Sequence, residues 1–281
     1  LSKEIDLVLD GGAFNGIYML GGLFYMKELE TREKIKIKRI SGCSIGAILG
    51  LLFLLDKMDV AISIYNMCYK CIRKNQDLKK ILVVIKKTLD ETIMEDDVKM
   101  VNNRFYLTYF DTKKGKQIVK KKYKTKAELI DYIVKSLYVP YLIDREYTDK
   151  DGCIDGAFPY MFKSKNNENR KVLFFNLQSF DKIKKMIFIK KEKNIYPRLL
   201  EGLMDTHSFF EKNEPNNMCS YVNDWSIRLR EISYVILFYI FRVGLYVDTI
   251  FPERWRKDAF IQQHIAVFKN IWRDIMLYLT V

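Results

Sequence analysis

Five residues, Gly42-Cys43-Ser44-Ile45-Gly46, hold a serine between two glycines, after KIKIKRIS and before AILGLLFLLD. The first flank alternates as a strand does. The second is apolar nearly all round and reads as a deeply buried helix. Gly-x-Ser-x-Gly between a strand and a helix is the pattern of a nucleophile elbow. Side chains flanking so sharp a turn would collide, so Gly42 and Gly46 are expected to be required there. The turn lifts the serine hydroxyl clear of the sheet, beside the unpaired N–H groups that open the helix. The chemistry expected of Ser44 is attack on an acyl carbon.

Such a serine needs a base. The chain has two histidines, His207 in MDTHSFF and His264 in FIQQHIAVF. Both sit in helical sequence with no glycine turn to present them, and both read as packed or surface residues. Ser44 also follows only two candidate strands, too few for an α/β-hydrolase. A Ser-His-Asp triad is therefore disfavoured. A second glycine turn, in LVLDGGAFNG, ends a strand and opens a helix, so several N–H groups converge on one point. That cluster suits a phosphate or the oxyanion of an acyl-transfer intermediate. Gly11, Ala13 and Gly16 also imitate a degraded dinucleotide fingerprint. That reading wants an acid at the end of the next strand, where the chain has RISGCS.

The elements that must position these residues follow from the pattern. EIDLVLD is a buried strand, IYMLGGLFYMKELE a helix, and KIKIKRIS and AILGLLFLLD repeat the strand–turn–helix order. This is an α/β layered fold with a mostly parallel sheet. Helices continue to about Asp90, and NRFYLTYFDTKKGKQIVKKKY reads as a hairpin around Lys114-Gly115. TKAELIDYIVKSL opens with a Thr125–Glu128 capping box. GCIDGAF is a short strand ending in a glycine turn, and KVLFFNL and KMIFIK supply later strands. From Asn194 the pattern is helical to the end, broken near EKNEPNN, the expected internal boundary or mobile loop.

Taken in order, LDGGAFNGIYMLGGL, SGCSIGAILG and CIDGAFPY resemble the patatin-like phospholipases, from about Ile5 to Asn176. AELIDYIVKSLYVPYL is similar to the helix and proline turn that precede that family's aspartate. The resemblance implies a three-layer patatin-like fold with a mostly parallel central sheet. It implies Ser44 as nucleophile, Asp155 as its partner in a Ser-Asp dyad, and backbone N–H groups around Gly11, Gly12 and Ala13 as an oxyanion hole. Gly16, Gly42, Gly46 and Gly156 are the remaining motif glycines. The implied reaction is hydrolysis of a phospholipid acyl ester through an acyl-enzyme, with no metal or cofactor. Two positions depart from the family pattern: Ala13 stands where its third glycine does, and Asn15 where a basic residue is common. Asp155-Gly156-Ala157 is a variant the family also uses.

Composition bounds the setting. The 281 residues are 49% hydrophobic and 30% charged, the range of a folded globular chain. The net charge of +13 suits an anionic surface, phospholipid headgroups or nucleic acid, although many lysines lie on amphipathic faces such as DLKKILVVIKKTLD. No nucleic-acid motif accompanies that charge, and no nucleic-acid partner is expected. Five scattered cysteines argue for a reducing, cytoplasmic compartment. CYKC at Cys68–Cys71 lacks the further ligands of a metal site and reads as structural thiols. The opening residues read as a strand, not a signal peptide. ISYVILFYIFRVGLYV, Ile232 to Val247, is interrupted by Arg242 and falls short of the roughly 20 residues a spanning helix needs. It is expected to be a core helix or an interfacial segment. The chain therefore reads as a catalytic core over 1–193 and a helical extension over 194–281, which either packs on that core or docks to a membrane. The functional expectation is a lipid acyl hydrolase peripheral to an anionic membrane. A catalytically silent lipid-binding protein on the same fold is the alternative.

Overall fold

The first strand, β1 (Lys3–Leu9), is buried from Ile5 onward on both faces, as a central strand of a parallel sheet must be. The computed structural model describes residues 3–75, 79–140, 143–144, 146–162, 170–177 and 194–222, with 263 and 267. After β1 a 3-10 turn (Ala13–Asn15) leads into α1 (Gly16–Thr31), β2 (Ile35–Gly42) and the fully apolar α2 (Ile45–Leu54). Then come α3 (Asp59–Asn75), α4 (Lys79–Thr92) and α5 (Glu95–Val101). The expected hairpin is β3 (Phe105–Asp111) and β4 (Lys116–Lys120). It is followed by α6 (Lys126–Ser136), β5 (Cys153–Asp155), β6 (Lys171–Phe175), α7 (Tyr196–Lys212) and β7 (Cys219–Tyr221). The Thr125 hydroxyl caps α6 by accepting the Glu128 N–H at 3.2 Å, as the capping box predicts.

These strands form one sheet, ordered β4-β3-β2-β1-β6-β7, with β5 added beside β3. The pairs β1–β2, β1–β6 and β2–β3 are parallel, and β4, β5 and β7 are antiparallel additions at the margins. The chain winds outward from β1 to β4 and returns to β6 on the other side of β1. Carboxyl ends of strands at such a reversal are where open α/β sheets place their sites. Ile5, Leu7 and Leu9 face the helices in the main core, while Val8, Val172 and Phe174 face Met161 and Phe162 in a smaller cluster on the opposite side. Asp6 lies on that opposite side, 1% exposed. A bulge after Ile5 sets Asp6 opposite Arg39, which binds it, and Arg170 lies 3.8 Å away.

The expectation of helix throughout 194–281 fails at Cys219–Tyr221, which is strand. Asn213 adopts a left-handed conformation (φ 53°) and ends α7. Asn216 then accepts the N–H groups of Met218 and Cys219 at 2.9 and 2.7 Å, turning the chain back onto the open edge of β6. EKNEPNN is thus a tight return from α7 to the sheet. KMIFIK, Ile232–Val247 and His264 lie outside the described residues. Among the described residues no helix is long and apolar enough to cross a membrane.

Candidate active site

Ser44 lies between the end of β2 and the first residue of α2, with φ 50° and ψ −129°. A non-glycine residue held there costs roughly 1–3 kcal/mol and persists only when its surroundings over-determine it. They do so here. A Cβ on Gly42 would lie 2.4 Å from the Gly46 carbonyl oxygen, and one on Gly46 would lie 2.5 Å from that of Asp10. Neither position can carry a side chain, as the spacing predicts. The Ser44 N–H is held by Ser136 at the end of α6, whose hydroxyl oxygen accepts it at 2.9 Å.

The sheet brings Asp155 to this turn. On β3, β4 occupies one edge over Leu107–Asp111, so β2 (opposite 105–107) and β5 (opposite 109–111) must share the other. Asp155, the last residue of β5, therefore follows the end of β2, where Ser44 sits. Its N–H donates to the Tyr138 carbonyl at 2.8 Å, and one carboxylate oxygen accepts the Ala157 N–H at 2.8 Å. The Ser44 side chain lies close enough to the same carboxyl to oppose the rise in its pKa. Part of the residue meets solvent, but the carboxyl group is enclosed by protein. Burial pushes its pKa up to about 6, against the opposing influence of the nearby Ser44 side chain and the Ala157 N–H. Gly156 packs with its Cα against the Thr108 carbonyl, and Ala157 takes a left-handed φ of 58°.

The glycine turn after β1 completes the group. A Cβ on Gly11 would lie 3.2 Å from that of Ser44, so the turn abuts the elbow. Gly16 opens α1 against Ile45. Asp10, 2% exposed, accepts the Gly11 N–H at 3.0 Å and the Leu177 N–H at 3.4 Å. The Gly11 N–H is thereby engaged within the turn, whereas those of Gly12 and Ala13 meet no acceptor among the described residues. Ala13 has φ 44°, the left-handed region where a third glycine would cost nothing and alanine costs roughly 1–2 kcal/mol.

Beside Ser44 opens a cavity of about 170 Å³. Its walls come from the glycine turn and α1, from Ile48 and Leu49 on α2, from Ile64, Tyr65 and Cys68 on α3, and from Ile85 on α4. Among the described residues that line it, Ser44, Tyr65 and Cys68 are the ones with a polar side-chain atom. Cys68 is buried there, its thiol pushed up to about 12 by burial. Among the described residues no cluster of His, Cys, Asp or Glu is arranged to hold a metal ion.

All the predicted site residues gather at this end of the sheet. His207 does not: it is exposed on α7, edge-on to the Tyr25 ring at 5.4 Å. Three residues here carry no local sequence signal of a role. Ser136 and Tyr138 hold the backbones of Ser44 and Asp155. Arg198, 8% exposed on α7, donates to the Phe14 carbonyl at 3.3 Å and to Asn15 Oδ1 at 3.4 Å.

A model of the family described as "Patatin-like phospholipase" matches residues 7–162, more than half of the chain. No curated protein matches. Among solved structures, the crystal structure of VipD from Legionella pneumophila is similar at 11% identity, with a TM-score of 0.39. That match covers 60% of this chain and 49% of VipD, so the chain spans about half that protein's length.

Proposed function

The chain belongs to the patatin-like phospholipase family, and on that premise we propose that it hydrolyses fatty-acyl esters of phospholipids or lysophospholipids through Ser44 and Asp155. The observation that carries this reading is the placement of the Ser44 side chain beside the enclosed Asp155 carboxyl, at the mouth of an apolar cavity. The Asp155 carboxylate accepts the Ser44 proton as Oγ attacks the ester carbonyl carbon. The carbonyl oxygen becomes an oxyanion, which the Gly12 and Ala13 N–H groups stabilise. As the tetrahedral intermediate collapses, the C–O bond breaks and Asp155 returns the proton to the departing alkoxide. Water then attacks the acyl-serine ester with Asp155 as base. The fatty acid leaves and the Ser44 hydroxyl is restored.

The cavity supports an acyl chain as the recognised part of the substrate, because its walls offer a headgroup almost nothing to bind. The +13 charge supports peripheral association with an anionic membrane in the cytoplasm. The test is fatty-acid release from phospholipid and lysophospholipid vesicles. Wild type is expected to release it. Ser44→Ala and Asp155→Asn are expected to lose about 10³-fold or more while still melting cooperatively. Substantial release by either variant would sink the dyad. Vesicle binding by a wild type that releases nothing would make the chain a lipid-binding protein instead.

A further inference from the structure

We propose that Arg198 is a positioning residue for the glycine turn, holding its N–H groups toward the oxyanion and adding a buried positive charge behind them. The proposal rests on the hydrolase reading above. Arg198 lies beyond the residues that the family model matches, on a helix whose placement leaves little freedom. A Cβ on Gly21 of α1 would lie 1.8 Å from the Leu199 carbonyl oxygen, and one on Gly202 of α7 would lie 1.8 Å from that of Tyr18. The two backbones are in direct contact, and each approach is open only at a glycine, so sliding α7 along α1 would bring a side chain into the contact. That register aims Arg198 at the turn.

Its guanidinium grips the turn from behind, through the Phe14 carbonyl and Asn15 Oδ1. Asn15 passes the constraint on, its Nδ2 donating to the Leu177 carbonyl at 3.4 Å. The Leu177 N–H and the Gly11 N–H both end on Asp10. A closed set of hydrogen bonds thus runs from Arg198 to Asp10 around the segment that includes Gly12 and Ala13. Ala13 needs such a frame, because its left-handed backbone is unfavourable and survives only where neighbours enforce it. Phe14, whose carbonyl Arg198 holds, is the next residue. The charge acts in the same direction. A buried cation is screened little by salt, and it favours the negative tetrahedral state over the neutral ester. The benefit falls on the transition state and leaves ground-state binding alone.

The experiment is steady-state hydrolysis of p-nitrophenyl butyrate by full-length wild type, Arg198→Lys and Arg198→Met, each with a thermal melt. Arg198→Met is expected to lower kcat about 10- to 100-fold with KM within about 2-fold, the split that marks loss of transition-state stabilisation. Arg198→Lys keeps the charge but replaces the fixed, planar Nη1 that makes both contacts with a shorter, freely rotating ammonium, and is expected to fall between Arg198→Met and wild type. Should Arg198→Met fail to fold, the lysine variant decides. Wild-type kcat in a folded Arg198→Met, or in Arg198→Lys if that alone folds, overturns the proposal. So does a loss confined to KM. In those cases wild type is still active, so the hydrolase reading stands. A folded wild type silent toward this ester and toward phospholipid overturns both.

Discussion

At Asp155, burial and hydrogen bonding pull in opposite directions, and burial wins, lifting the carboxyl to about 6. The folded chain therefore holds this proton more tightly than the unfolded chain does. The stability it contributes is full below the unfolded value near 4 and is lost as pH rises through 6. Base function runs the other way, since only the carboxylate can accept the Ser44 proton. The rate at which a fluorophosphonate modifies wild type is expected to rise with pH, with a midpoint near 6. That step should be missing from any residual reaction of Asp155→Asn. A flat wild-type profile between about pH 5 and 8 would remove Asp155 as the base. Residues whose role is local were legible in the sequence: Gly42 and Gly46 touch backbone only four and 36 positions away, at junctions their own pattern marks. The closeness of Ser44 and Asp155 joins residues far apart in sequence, through strands that share one edge of β3, and was legible only through family resemblance. Ser136 and Arg198 were not legible, because nothing near them in sequence records that each ends on another element's backbone.

Among elements, α6 links the two halves of the site. Its last residue, Ser136, accepts the Ser44 N–H, and the carbonyl of Tyr138 accepts the Asp155 N–H two residues later. Lys135 beside them binds Asp131 and Asp151, tying the helix to the loop that leads into β5. Ser136→Ala leaves the Ser44 N–H without its acceptor, a cost of about 1 kcal/mol for a partly buried donor. The variant is expected to melt several degrees lower and to react with the fluorophosphonate more slowly. Unchanged melting and labelling would show that the elbow holds itself. Element types were legible where the apolar run was long, as in α1 and α2, or clearly patterned, as in α6 and the β3–β4 hairpin. β7 was not, because three edge residues carry no period and owe their strand geometry to the open edge of β6.

Across the whole molecule, the sheet continues past the family match into β6 and β7, and α7 lies on α1. The segment beginning at Asn194 is therefore, through β7, part of the core. One helix meets both the cavity and the outer surface: α4 turns Ile81, Leu82 and Ile85 inward, and exposes Lys79, Lys80, Lys86 and Lys87 with Val83. Binding to vesicles rich in phosphatidylserine is expected to weaken strongly between about 0.1 and 1 M NaCl, as the screening length falls from about 10 to about 3 Å. Co-sedimentation that is unchanged at high salt would mean that apolar insertion, not charge, holds the chain to lipid.

The most direct test of the central claim is to treat the folded wild type with a fluorophosphonate and locate the adduct by peptide mass spectrometry. Modification at Ser44, absent from Ser44→Ala and strongly slowed in Asp155→Asn, is the expected result. No adduct on a folded wild type, an adduct at another serine, or equal labelling of Asp155→Asn would contradict a nucleophile activated by Asp155.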